Sequence, residues 1–248
     1  MISARTFCTS LAGVLLFSLT ACNNSEQKTS ESTTDSTGSA STMATEPSAP
    51  ASTIVTTPQN MLIVMHKVAN YSKWKPSYDG HDTARLSAGI HNYVIGRGAQ
   101  DSNMIMVALK VDDTAKAKAF GKDPSLKKAM QQGGVVGAPT ISLVTMVYQD
   151  TSTVSSALRA SSTMTVKDFD AWEKSLKAGE QERKDNGIMI RAYGHDASDN
   201  HKVRIVSALL DSAKAMAYYN SDAIKKRMAD AGVVGKADRW FFHIAARY

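Results

Sequence analysis

Hydrophobic positions after residue 60 fall into short apolar runs separated by segments of helical periodicity. An uninterrupted apolar run of about four to eight residues indicates a strand, whereas apolar positions three or four apart indicate one face of a helix. The predicted strands span 61–68, 90–97, 104–111, 140–148, 157–163, 188–195, 202–209 and 239–246. With helices between them, each half of this segment is predicted to be β-α-β-β-α-β, the ferredoxin-like order.

The two halves are copies of each other at a constant offset of 98 residues. Between 113–137 and 211–235, 12 of 25 positions are identical, whereas unrelated segments would share roughly one or two. A single ferredoxin-like unit leaves one apolar sheet face uncovered, and such a face must be buried. The predicted fold class is therefore α+β, with tandem repeats at 60–150 and 151–248 that place their open sheet faces together. They would form one intramolecular α/β barrel in a monomer.

The N-terminus is typical of a bacterial lipoprotein. Residues 1–21 resemble a secretory signal peptide, because Arg5 precedes an apolar stretch too short to span a bilayer. Residues 19–22 are Leu-Thr-Ala-Cys, the pattern of a lipobox, so Cys22 is predicted to be acylated and to make the lipid bilayer a partner. The alternative is an ordinary signal peptide followed by an unrelated cysteine. Asn23 favours the outer membrane, facing the periplasm, if the cell is Gram-negative.

Composition narrows the possible functions. Residues 22–59 are rich in Ser, Thr, Ala and Pro and are predicted to form a disordered tether. The formal charge of +6 is mildly basic, but no arginine-rich stripe or nucleic-acid motif accompanies it, so no nucleic acid is expected as a partner. Both cysteines, Cys8 and Cys22, precede the repeats, which excludes a disulfide framework there. No cofactor motif and no metal motif was found, so neither group is predicted.

Differences between the repeats supply the catalytic candidates. Repeat one holds three histidines that repeat two lacks, namely His66, His81 and His91. Tyr78, His81 and Arg85 share one predicted helix face. His66, His81 and Arg85 could move a proton and hold an anionic or enolate-like substrate, with Tyr78 as a ligand contact. The alternative is that His81 and Arg85 lie on the helix flank, bonded to backbone or solvent.

The second strand of each repeat supplies further candidates. Strict alternation would put four side chains of each strand on one face, namely His91, Tyr93, Ile95 and Arg97, and Met189, Arg191, Tyr193 and His195. This polar and aromatic face is either the barrel interior or an exposed sheet face. If it is the interior, the ligand contacts would include His91, Tyr93, Arg97, Arg191 and Tyr193. The segment 195–201 contains metal-capable side chains, but Asp, Asn and Ser there are typical of a hairpin loop.

Three segments carry a family resemblance: Tyr71-x-x-Trp74-Lys75-Pro76-x-Tyr78-Asp79-x-His81-x-x-x-Arg85, Ala119-Phe120-x-x-Asp123-Pro124-x-Leu126, and Gly134-Val135-Val136-Gly137-x-Pro139. They resemble the dimeric α/β-barrel superfamily, particularly bacterial proteins labelled as cyclases or as antibiotic-biosynthesis-monooxygenase-like. The resemblance covers 61–148 directly and 159–247 through the repeat. It implies the barrel fold. It does not decide the chemistry, because the superfamily includes cofactor-free oxygenases, haem-binding enzymes, isomerases and proteins without known activity.

Two functions agree with these observations. The first is an envelope lipoprotein whose barrel binds a small molecule or has an accessory role, since no complete catalytic constellation is evident. The second is a cofactor-light enzyme of the monooxygenase or cyclase type, with a single site lined mainly by repeat one. The sequence leaves open whether the protein is an enzyme.

Overall fold

A computed structural model describes residues 52–248. The predicted signal peptide and Cys22 lie outside these residues, as does most of the predicted tether. The nine strands are β1 (Ile54–Val55), β2 (Gln59–Val68), β3 (Ile90–Gly98), β4 (Met104–Val111), β5 (Val135–Asp150), β6 (Leu158–Val166), β7 (Ile188–Asp196), β8 (Lys202–Leu209) and β9 (Val233–Arg247). The eight helices are α1 (Tyr71–Gly80), α2 (Asp82–Ser87), α3 (Thr114–Phe120), α4 (Pro124–Gln132), α5 (Phe169–Ala178), α6 (Glu180–Asp185), α7 (Ser212–Asn220) and α8 (Asp222–Asp230).

The strands form one antiparallel sheet in the order β1-β5-β2-β4-β3-β9-β6-β8-β7, and β5 also pairs with β7. This last pairing closes eight of the strands into a ring. Each repeat contributes four neighbouring strands, and the repeats meet at two seams, β3 with β9 and β5 with β7. The prediction of one intramolecular α/β barrel is therefore confirmed.

The ordered chain begins earlier than predicted. The expected tether extended to residue 59, whereas Ile54 and Val55 pair with the end of β5. Two β-branched residues beside an available strand edge favour this pairing. The last strand of each repeat is also longer than predicted, because Val135 and Val233 already pair with the first strand of their own repeat.

Five of the eight helices begin at an acidic or amide side chain that caps them. Asn70 accepts a hydrogen bond from the backbone N–H of Lys73, and Asp168 accepts the equivalent bond from Ala171. Such caps satisfy backbone donors that the first turn of a helix leaves free. The expected long first helix of repeat one is instead two short helices, α1 and α2, that meet at His81. Within residues 52–248, no helix has the length and apolar character needed to cross a membrane.

Apolar side chains form two kinds of core. One lies between the helices and the outer face of the sheet, where Trp74 and Trp172 are both 3% exposed. The other fills the barrel interior and includes Met61, Met106 and Phe242. Both faces of the barrel wall are therefore covered, the outer one by helices and the inner one by the opposite repeat.

Both seams contain a glycine at the same position of its repeat. A Cβ on Gly96 would lie 2.4 Å from a Phe242 ring carbon, and a Cβ on Gly194 would lie 2.0 Å from the carbonyl oxygen of Thr145. These separations are far inside van der Waals contact, so only glycine allows the strands of the two repeats to approach this closely.

Candidate functional site

A cavity of about 440 Å³ lies between the helices of repeat one and the outer face of its sheet. This is within the range of small-molecule sites, about 300–1,000 Å³. Most of its wall is apolar, including Leu62, Val107, Leu109, Leu126, Met130 and Leu143. Four of the residues singled out from the sequence also line it, namely His66, Tyr78, His81 and Arg85. We refer to this space as the repeat-one pocket.

His66 forms part of the sheet wall of the pocket. It lies on β2, is 6% exposed, and packs with its ring centre 5.5 Å from that of Trp74. Neither ring nitrogen has a hydrogen-bond partner within residues 52–248. Burial lowers the pKa of His66 to about 4, because a charged imidazole would be poorly solvated there. His66 is therefore neutral at pH 7, with one nitrogen able to accept a proton.

His81 lies on the helix side of the pocket, at the junction of α1 and α2. Its ring centre is 5.9 Å from that of Phe120, and its Nε2 is buried without a hydrogen-bond partner in the described part of the chain. The break between the helices keeps this side chain at the pocket even though the continuous helix assumed from the sequence is absent. Two imidazoles with unsatisfied nitrogens thus face the same space.

Arg85 is engaged in holding the two helices together. Its Nη1 donates to the backbone carbonyl of Tyr78 at 2.8 Å, and its guanidinium lies 3.8 Å from the centre of the Tyr78 ring. A further bond, at 3.1 Å, connects it to Asp82. In repeat two, Arg183 donates to the carbonyl of Leu176, the equivalent of Tyr78. Since the bond recurs where the histidines are absent, the geometry favours the backbone-bonded alternative for Arg85.

Tyr78 presents its ring, rather than a free hydroxyl, to the pocket. Its ring stacks on Trp74 with centres 4.9 Å apart, while its hydroxyl donates to the side-chain oxygen of Asn92. Burial raises the pKa of the Tyr78 phenol, so this group stays protonated. Asn92 in turn donates to Asp82 at 2.7 Å. Tyr78 therefore acts as an aromatic wall whose orientation is held by a polar network.

The equivalent space in repeat two is much smaller, about 80 Å³. Three large side chains line it, Tyr219, Arg227 and Arg239. At the same positions repeat one has Gly121, Ala129 and Ile141. The same backbone plan therefore encloses a large cavity in one repeat and a much smaller one, narrowed by large side chains, in the other.

One strand face predicted from the sequence is wrong. The side chains at 91, 93, 95 and 97 of β3 do not share one face, because a β-bulge between Asn92 and Val94 breaks the alternation. A bulge inserts one extra residue, so every later side chain changes face. Tyr93 consequently packs towards the barrel interior, whereas Arg97 lies outside, 4.2 Å from the centre of the Tyr71 ring. His91 is half exposed and contacts Asp112 at 2.7 Å.

A bulge at the same place in β7, between Ile190 and Ala192, has the same consequence. Arg191 faces the barrel interior and bonds to Asp150 at 2.8 Å. Tyr193 packs on the helix side, and its hydroxyl donates to Glu173 at 2.8 Å. The six predicted ligand contacts are thus dispersed. Tyr78 lies at the repeat-one pocket, and Tyr93 and Arg191 line a smaller space in the barrel interior. His91, Arg97 and Tyr193 line neither of these two spaces.

Two exposed lysines, Lys118 and Lys122, also line the pocket but were not among the predicted site residues. Repeat two has Met216 and Asn220 at these positions. The signal in the sequence is the same as for the histidines: these lysines differ between the two repeats. The small residues that make the cavity also differ between them. Within residues 52–248 no group of three His, Cys, Asp or Glu side chains could hold a metal ion.

No family model matches the sequence, and no curated protein matches it. Solved structures do match. An anthrone oxidase-like protein aligns with a TM-score of 0.53 and 10% identity, over 79% of this chain and 95% of that one. The chain has the dimeric α/β-barrel fold.

Two further structures with this fold are each described as a "putative monooxygenase". The protein from Lactobacillus acidophilus aligns with a TM-score of 0.51 and 10% identity, covering 77% of this chain and 95% of that one. The protein from Fusobacterium nucleatum has a TM-score of 0.51 and 11% identity, with coverages of 76% and 93%. At such identities the likeness concerns the α/β barrel itself, and the chemistry must be argued from the side chains.

Proposed function

We propose that this protein is an envelope lipoprotein whose α/β barrel binds one small, largely apolar molecule in the repeat-one pocket. The difference between the two repeats supports this proposal. Repeat two fills the equivalent space with Tyr219, Arg227 and Arg239, so the fold can be packed there, whereas repeat one keeps a cavity of about 440 Å³. Protein interiors are otherwise close-packed, and cavities of this size are costly.

The side chains that line the repeat-one pocket indicate what kind of ligand it would bind. Trp74, Tyr78 and Phe120 offer aromatic surfaces, which suit a planar apolar molecule. Neutral His66 and half-buried His81 offer nitrogens that lack hydrogen-bond partners in the part of the chain that the structure describes. A buried polar group without a partner costs roughly 1–3 kcal/mol, which a ligand hydroxyl could recover. We therefore expect an aromatic molecule with one or two hydroxyl groups, such as a phenol or hydroquinone.

The test uses a substitution that copies repeat two into repeat one. A Cβ at Gly121 would lie 3.5 Å from the carbonyl oxygen of Lys118, an ordinary van der Waals distance. Gly121→Tyr is therefore tolerated locally and fills the pocket as Tyr219 does. Gly80→Tyr is the matched control, because nothing lies within 4 Å of a Cβ there. Native mass spectrometry of the full-length protein, gently purified in detergent, should find the same small-molecule adduct on wild type and Gly80→Tyr. An equal adduct on Gly121→Tyr would refute the proposal.

Membrane attachment through Cys22 is the second part of the proposal, and its support is the lipobox at 19–22. Acyl chains each contribute about 0.8 kcal/mol per buried CH₂ group, so several on one cysteine hold a protein firmly. Cells fed an alkyne-tagged palmitate should label the wild-type protein and leave Cys22→Ser unlabelled. Fractionation would then distinguish the outer membrane, which Asn23 favours, from the inner membrane.

A second candidate is a cofactor-light monooxygenase, supported by His66. A neutral imidazole in an apolar pocket can accept a proton from an acidic C–H or O–H group of a substrate. Anthrone is a suitable probe, since a structure with this fold is described as anthrone oxidase-like. Conversion of anthrone and O₂ to anthraquinone and water should be abolished by His66→Met, which introduces the repeat-two residue Met164. Equal oxygen consumption by wild type and His66→Met would exclude this role.

A further inference from the structure

The barrel interior contains a second space that is separate from the repeat-one pocket. It measures about 80 Å³ and is lined by four arginines, Arg159, Arg191, Arg204 and Arg247. Three of them belong to the strands β6, β7 and β8, and Arg247 is exposed at the end of β9. Charged side chains are seldom enclosed in a barrel unless something balances them.

These four arginines outnumber the carboxylates that lie near them. Asp150, which is buried, is engaged by Arg191 at 2.8 Å. Within residues 52–248, Arg159 and Arg204 form no ion pair closer than 4 Å; exposed Asp238 acts on Arg204 only at longer range. Counting Asp150 and Asp238 against the four guanidinium groups leaves the site with an excess of positive charge.

Arg159 is the most enclosed of the four, at 3% exposure. Its hydrogen bonds go to backbone carbonyls, those of Ser156 and Leu158. Burial, together with the neighbouring charges of Arg247 and Arg191, lowers the pKa of Arg159 to about 10. The side chain is still protonated at pH 7, so an unpaired cation is held beside the interior space.

Arg204 has spare donor capacity. Its Nη1 donates to the hydroxyl of Ser161 at 2.9 Å, whereas its Nε is buried and has no hydrogen-bond partner among residues 52–248. Guanidinium groups bind carboxylates and phosphates through charge-assisted bonds that are roughly twice as strong as neutral ones. The Nε of Arg204 therefore remains to bind an anion. Arg159 lies on the neighbouring strand β6, four residues along from Thr163, which pairs with Arg204, so it adds positive charge to the same space from farther along the barrel.

The opposite wall is apolar, and the repeat explains why. At the positions of Arg159 and Arg204, repeat one has Met61 and Met106, which line the same space together with Phe242. A ligand here meets cations on one side and thioethers and an aromatic ring on the other. This combination favours a short organic acid over inorganic phosphate. A space of 80 Å³ is several times the roughly 10–15 Å³ that one water requires on this measure.

We infer that the barrel interior is a binding site for a small monocarboxylate. Arg204 holds the carboxylate, Arg159 adds positive charge to the space, and the methionines of repeat one contact the carbon chain. Exposed Arg247 marks the end of the barrel from which the anion enters. The site is distinct from the repeat-one pocket and does not depend on it.

The test compares butyrate with butyramide, its neutral isostere, at constant ionic strength set with sodium chloride. Thermal unfolding of the full-length protein should be shifted upward by butyrate and not by butyramide. Arg204→Met introduces the repeat-one residue, which is Met106. It should weaken butyrate binding, measured by calorimetry, by at least about tenfold. It should also leave the unliganded protein as stable as wild type or more so, because an unpaired, partly buried charge is removed.

Gly121→Tyr, which fills the other cavity, should retain the full response to butyrate. If Arg204→Met does not fold, Arg159→Met provides a second comparison of butyrate binding, since Met61 is its counterpart. The inference is overturned if butyrate and butyramide shift the unfolding of wild type equally, or if the folded variant binds butyrate as tightly as wild type.

Discussion

The guanidinium of Arg239 lies over the ring of Tyr219, 3.7 Å from its centre. Neither residue has a counterpart of similar size in repeat one, where Ile141 and Gly121 occupy the same positions. This cation–π pair, together with Arg227, occupies in repeat two the space that remains a cavity in repeat one. Large side chains therefore narrow the space between helices and sheet in repeat two, whereas repeat one leaves that space open to a ligand.

The pair should contribute measurably to stability. Tyr219→Ala combined with Arg239→Ile removes a half-buried ring and its cation, and we expect a loss of about 2–4 kcal/mol in the free energy of unfolding. Urea denaturation measures it. Tyr248→Ala is the control, because Tyr248 is 53% exposed and should change stability by less than about 1 kcal/mol. A loss no larger than that of the control would mean that the pair does not pack repeat two.

Arg85 and Arg183 should behave alike, since both bond to a backbone carbonyl seven residues earlier. Replacing either by methionine leaves that carbonyl unsatisfied, and we expect each variant to lose about 2 kcal/mol in urea denaturation. Exposed Lys128→Met controls for the loss of a positive charge. If Arg85→Met were fully stable but lost the bound adduct, Arg85 would be a ligand contact instead.

His66 should make the protein less stable in acid. Its pKa is about 4 in the folded state, below the ordinary value of 6.5. The unfolded chain therefore binds this proton first, so stability falls as the pH drops from about 6.5 to 4. The full difference amounts to about 3 kcal/mol. His66→Met should flatten the stability profile in this window. Identical pH profiles for wild type and variant would show that His66 is not buried as described.

The seam between β5 and β7 should not tolerate a side chain in place of Gly194. Gly194→Ala forces a Cβ to within 2.0 Å of a backbone oxygen, so β5 and β7 must separate. We expect a loss of about 3 kcal/mol or more in the free energy of unfolding. Gly96→Ala meets the Phe242 ring, which can rotate, and should cost less. Gly80→Ala, with nothing nearby, should be close to neutral. Equal stability of Gly194→Ala and Gly80→Ala would contradict the closed barrel.

Much of the fold was accessible from the sequence because strand-length apolar runs and the 98-residue offset both depend on local pattern. The side of the sheet on which Arg97 lies could not be predicted in this way. It depends on one inserted residue at Asn92/Val94, and that insertion is defined by pairing with β4 rather than by any residue of β3 alone.

The pocket was partly predictable. His66 and His81 differ from their repeat-two equivalents in chemistry, and that difference marked them. The cavity itself arises from Gly121 and Ala129, whose small size becomes informative only beside Tyr219 and Arg227. Whether two side chains fill one space is a property of tertiary packing, which periodicity does not describe.

The central claim is that the repeat-one pocket holds a small molecule. The most direct measurement is a crystal structure of the full-length protein, purified from its own cell envelope without harsh washing. We predict electron density for a planar molecule between Trp74 and Phe120, with a polar atom within hydrogen-bond distance of His66. Side chains of the pocket collapsed onto one another, with no density for a bound molecule, would contradict the claim.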